Sequence, residues 1–151
     1  MTLKIIAENL REENFSVPYI YQQLLKEFSG TPYKWGGNNL NGSDCSGSVC
    51  TALSHATQKF IRVTADELYR NVFTKHCTEN ALYSTEYNVK AVFFLDGTGK
   101  AVHVAGYCGN GFFMNVSSLE TGKRGTFRTL EELKLMYPHL KIELRTLRED
   151  Y

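Results

Sequence analysis

Asp44-Cys45-Ser46-Gly47 follows a glycine-rich loop and opens a helix, and its residue types suit covalent chemistry. A cysteine in the first turn of a helix faces backbone N–H groups without intrahelical partners and the positive end of the helix dipole. Both favour thiolate over thiol. The same N–H groups can hold an oxyanion during acyl transfer. Read locally, Cys45 also fits a small buried hydrophobe, as most free cysteines are. A thiolate nucleophile needs a base, and the base an orienting group. The chain has four histidines. His55 lies ten residues along the helix of Cys45, about 15 Å away at 1.5 Å per residue, and cannot reach it. His76 and His139 fall in polar connections. His103 lies inside the strand Val102-His103-Val104-Ala105-Gly106. There it is either an imidazole satisfied by a carbonyl or a general base on a rigid platform.

The hairpin after His103 sets a geometric condition. Asn115 in the following strand can orient the imidazole only if both side chains share a face. A three-residue loop Gly109-Asn110-Gly111 pairs Cys108 with Phe112 and makes His103 and Asn115 diagonal neighbours about 5.5–8 Å apart. A two-residue Asn110-Gly111 turn, the form that Asn-Gly favours, sends them to opposite faces. A Cys–His–Asn arrangement therefore requires the longer loop or a compensating bulge. Tyr33 and Trp35, just before the cysteine, are aromatics in a loop. They read as lids over the core or, for the Tyr33 phenol, as a donor to an oxyanion.

The elements that must position these residues follow from periodicity. Val17, Ile20, Tyr21, Leu24, Leu25 and Phe28 recur at helical spacing, ended by Ser29-Gly30. Residues 31–43 hold Pro32, Gly36, Gly37 and Gly42 and must be loop. Asp44 is a good N-cap for a helix reaching about Lys59. Thr64 and Thr129 open two further helices in capping-box style. Residues 88–95, 101–108 and 112–117 read as strands joined by turns, and 141–147 alternates like an edge strand. Helices first and antiparallel strands afterwards indicate one α+β domain over 1–151, with N-terminal helices packed on an antiparallel meander sheet.

Composition excludes several classes. The 151 residues carry a formal charge of +1, with 42% apolar and 22% charged positions. That is the balance of an ordinary globular domain, without the cation excess of a nucleic-acid binder. No apolar stretch approaches the roughly 20 residues needed to cross a bilayer. The run from Met1 to Leu10 is too short and too charged for a signal peptide. Cys45, Cys50, Cys77 and Cys108 are then expected as free thiols. Cys45 and Cys50 diverge by about 140° on a helix, no C-x-x-C pair exists, and no metal site is expected.

Thr31-Pro32-Tyr33-Lys34-Trp35-Gly36-Gly37 followed by Gly42-Ser43-Asp44-Cys45-Ser46-Gly47 resembles the signature of the NlpC/P60 family of papain-like cysteine peptidases. Arg62-Val63-Thr64-Ala65 is similar to that family's Arg-Thr-Ser/Ala helix start, and residues 103–111 to its His-Val-Gly-Ile-Tyr strand and turn. Asn115 falls where the family's third polar residue lies. The likeness runs from about Ile20 to Ser118, within a motif core of about 15–118. It implies a papain-like fold with Cys45 as nucleophile, His103 as base and Asn115 orienting it. The Cys45 N–H and the Tyr33 hydroxyl would face the oxyanion. Asp44 and Ser46 match groove-lining positions, with Trp35 beside them as a substrate contact; capping is the other reading of Asp44 and Ser46. The implied substrate is a peptidoglycan stem peptide, typically cut next to D-Glu, by a monomer without metal or cofactor. Without an export signal, delivery by phage or a secretion machine is expected. Two departures loosen the subfamily. The third residue is commonly His, and Tyr87-Asn88-Val89-Lys90 stands where the family has Pro-Gly-Asp-Leu. The alternatives are a catalytically idle wall-binding or phage-tail module of the same fold, and an acyltransferase using the same Cys–His pair in an apolar tunnel.

Overall fold

The structure, a computed structural model, describes residues 2–84 and 88–151; Met1 and Tyr87, part of the sequence reading, lie outside the described residues. Its helices are α1 (Leu3–Glu12), α2 (Val17–Lys26), α3 (Cys45–Thr57), α4 (Ala65–Glu67), α5 (Glu79–Ser84) and α6 (Leu130–Met136). Its strands are β1 (Asn38–Asn39), β2 (Gly42–Ser43), β3 (Lys75–His76), β4 (Lys90–Leu95), β5 (Ala101–Gly109), β6 (Phe112–Asn115), β7 (Thr126–Thr129) and β8 (Lys141–Thr146). Helix starts sit at capping residues, and those at Asp44, Thr64 and Thr129 are the expected ones. Ser16 begins α2, Asp44 begins α3, and full capping boxes form at Thr64 with Glu67 and at Thr129 with Glu132. After α4 the chain continues as a π-helical turn, Leu68–Val72.

Six strands form one antiparallel sheet in the order β3-β8-β4-β5-β6-β7. Strands β4, β5 and β6 are the expected meander, and β7, which pairs with β6, extends it. The last strand returns beside β4, and it is not an edge because the short β3 pairs with its outer side. Helices cover both faces of the sheet. Ala91, Phe93 and Val104 pack with Ile20, Leu24, Leu25, Val49 and Leu53 of α2 and α3. Val92, Phe94 and Ala105 pack with Leu130 and Leu133 of α6. An entirely buried central strand explains why β4 reads as a continuous apolar run.

The hairpin meets its condition by the second route. Its tip is the two-residue turn, with φ of 56° at Asn110 and 82° at Gly111, and it pairs Gly109 with Phe112. Cys108 is then left over, so that Tyr107 faces Phe113 and Gly106 faces Met114. This bulge restores the parity that puts His103 and Asn115 on one face.

Candidate active site

The loop before α3 is latched onto the helix start by backbone and carboxylate together. Asp44 Oδ1 accepts the Gly47 N–H at 2.7 Å, its N-cap bond, and the Ser46 hydroxyl at 3.2 Å. Oδ2 accepts the Gly36 N–H at 2.9 Å and faces Arg62 at 3.6 Å. The Asp44 N–H in turn donates to the Gly37 carbonyl at 3.1 Å. Gly47 lies so near that carbonyl that a Cβ on it would come within 2.0 Å of the oxygen. Asp44 is therefore a cap and a brace, and Ser46 is bound into the same cluster by Arg62 at 3.3 Å.

Helix α3 packs on one face of the sheet, while the His103 side chain projects from the other, beside Phe94. They meet where β6 stops. Pairing between β5 and β6 ends at Gly106 and Met114, and beyond that point the Val104 N–H lies where it favours a thiolate on Cys45. On the far side His103 Nε2 bonds Asn115 Oδ1 at 2.7 Å. Cys45, His103, Tyr33, Trp35, Asp44 and Ser46 all line one cleft of about 1070 Å³. Trp35 stands on its rim, 85% exposed.

Burial dominates the protonation of this pair. It pushes the Cys45 thiol up to about 11, against the N–H groups of Val104, Ser46 and Cys45 itself, which pull it down. It pushes the His103 imidazole down to about 4, against Asn115 and Glu120. The free site thus rests as thiol and neutral imidazole. The helix dipole at the start of α3 favours thiolate, but the enclosure of the sulfur outweighs it. Burial also raises the Tyr33 phenol, helped by Cys45, Asp44 and Tyr137.

Three residues of the site carry no local signal. The Tyr137 ring stacks on His103 at 4.8 Å, and its hydroxyl lies 3.2 Å from Nε2. Glu120, in the connection to β7, accepts from the Asn115 amide at 2.8 Å. Arg128, on β7, grips Glu120 at 2.6 Å. All three reach His103 through packing between segments distant in the chain. His55, His76 and His139 do not line the cleft. All four cysteines are free thiols. Among the described residues no group of three or more His, Cys, Asp or Glu could hold a metal ion, and no helix is long and apolar enough to cross a membrane.

The sequence profile of the NlpC/P60 family matches residues 30–132. Murein DD-endopeptidase MepH from Escherichia coli (strain K12) is 37% identical over 105 residues, which are 68% of this chain and 36% of that protein. The chain thus spans about a third of that relative's length. Among solved structures, NlpC2 from Trichomonas vaginalis has a TM-score of 0.65 at 22% identity, covering 86% of this chain and 46% of its own. RipD from Mycobacterium tuberculosis, a non-catalytic NlpC/p60 domain protein adapted to a peptidoglycan-binding function, has a TM-score of 0.59 at 16% identity, covering 89% of this chain and 98% of its own. At these identities the two structures speak to the fold alone.

Proposed function

The chain belongs to the NlpC/P60 family, and from that premise we propose that it is a cysteine hydrolase cutting amide bonds in peptidoglycan stem peptides. One observation carries the reading. The imidazole of His103 is tied at Nε2 to Asn115 at 2.7 Å and borders the same cleft as the Cys45 sulfur, which leaves Nδ1 to serve the thiol. Because the neutral pair is the resting form, the thiol proton passes to Nδ1 as the sulfur attacks the carbonyl carbon. The carbonyl electron pair moves onto oxygen, which meets the Cys45 N–H and the Tyr33 hydroxyl. Collapse breaks the C–N bond, and Nδ1 returns the proton to the leaving amine. Water, deprotonated by the same nitrogen, then hydrolyses the thioester and restores the thiol.

The name of MepH points to a D,D bond, while the family resemblance points to a bond next to D-Glu. Both belong in one assay. Purified muropeptides incubated with the protein should release a peptide whose mass identifies the bond, and Cys45→Ala or His103→Ala should abolish release. Muropeptide binding without any new mass would favour the second reading, a recognition module. The burial that raises the Cys45 thiol supports that reading. An acyltransferase would need an apolar tunnel; this cleft mixes Asp44, Arg62, Asp66 and Lys100 with Val63, Val102, Leu119 and Leu140.

A further inference from the structure

Asparagine beside a general base carries an ambiguity that a carboxylate does not. Its amide has an acceptor and a donor of nearly equal size, and turning it over would offer N–H groups to the imidazole. Nε2 would then have to accept, and the ring hydrogen would move to Nδ1. The nitrogen meant for the thiol proton could no longer take it. The amide must be held one way round.

Glu120 meets that need. Its side chain is fully enclosed, and an ionised carboxylate accepts hydrogen bonds but cannot donate. Oε2 takes one Asn115 Nδ2 hydrogen at 2.8 Å. The other Nδ2 hydrogen points to the Tyr137 hydroxyl at 3.4 Å, whose own hydrogen goes to Ser117 Oγ at 2.8 Å. Both amide hydrogens are engaged, so Oδ1 is what remains for His103. Arg128 holds the carboxylate in place, with Nε at 3.2 and 3.0 Å from its two oxygens and a terminal nitrogen at 2.6 Å. We infer that Glu120 is a positioning residue: clamped by Arg128, it fixes the Asn115 amide and thereby the Nε2–H tautomer of His103. The titratable groups around that ring are Cys45 from α3, Tyr33 from the loop before it, Tyr137 after α6, and Glu120, with Arg128 and Glu132 behind.

The consequence for rate rests on the cysteine-hydrolase reading; the tautomer does not. Glu120→Gln can present its own N–H to the amide and lets it turn. Histidine nitrogen NMR on the full chain at neutral pH should show Nε2–H for His103 in the wild type and a mixture containing Nδ1–H in Glu120→Gln. On muropeptides kcat should fall about 10–100-fold with KM unchanged, by analogy with the partners that orient metal-bound histidines from behind. Should Glu120→Gln fail to fold, Arg128→Gln frees the carboxylate to swing off the amide and should show the same mixture, a pure Nε2–H signal there overturning the inference. A folded Glu120→Gln that keeps a pure Nε2–H signal overturns the inference, whether or not its activity falls. Hydrolysis that Cys45→Ala abolishes would then still stand on its own.

Discussion

Gly47→Ala tests whether Cys45 is placed by the fit of loop against helix. The added Cβ would stand 2.0 Å from the Gly37 oxygen, 2.9 Å from Asp44 Oδ1 and 3.0 Å from Ser43 Oγ. Ordinary contact begins at 3.4 Å, so the helix start and the loop must part by about 1.4 Å (3.4 less 2.0). The Gly37 carbonyl cannot swing aside freely, because it also accepts the Asp44 N–H at 3.1 Å. Overpacking of this kind costs about 1–3 kcal/mol. At about 2–4 °C per kcal/mol in a chain of this size, melting should fall by about 2–12 °C. The larger effect is on rate: a displacement of about 1 Å at a reacting group costs about 10²-fold. The assay is muropeptide hydrolysis read by mass, beside a thermal melt of the same sample. Gly97→Ala is the control, since nothing lies within 4 Å of its added carbon. Wild-type turnover in Gly47→Ala at an unchanged melting temperature would refute the reasoning.

Two further predictions follow from the pair itself. With the Cys45 thiol at about 11, its alkylation by iodoacetamide at pH 8 should run about 10²-fold slower than that of an unperturbed cysteine near 8.5, and climb through the alkaline range. A fast plateau between pH 5 and 7 would instead mean that the attraction between thiolate and imidazolium outweighs burial. Tyr33→Phe should lower kcat by about 10²-fold with KM unchanged if its hydroxyl meets the oxyanion; an unchanged kcat would leave Tyr33 as a lid.

Much of this arrangement is legible from short-range chemistry. The Asp44 cap, the Thr64 and Thr129 capping boxes and the period of α2 are local bargains between a side chain and its own backbone, and each forms at the expected residue. The hairpin was legible as a condition, and the fold met it through Cys108. What escaped is what depends on distant partners. Residues Thr126–Thr129 become a strand because β6 offers an open edge, not because of any alternation of their own. The π-helical turn after α4 breaks a regular helix without a Gly or Pro to announce it. Glu120 and Tyr137 converge on Asn115 from separate segments, with Arg128 of a third behind Glu120. The protonation of Cys45 turns on enclosure, which no neighbour in sequence reports.

The unpaired Cys108 turns the β5–β6 hairpin into a counting device. Every side chain from Gly106 back to His103 owes its facing to whether the residues spent at the tip, bulge included, come to an odd or an even number. A change of two residues there would conserve that parity and leave the imidazole on its side of the sheet. A change of one, however conservative in composition and however remote from the cleft, would turn His103 away from Asn115. Length polymorphism at this tip is therefore constrained in steps of two, a restriction that residue-by-residue comparison of the cleft would never reveal.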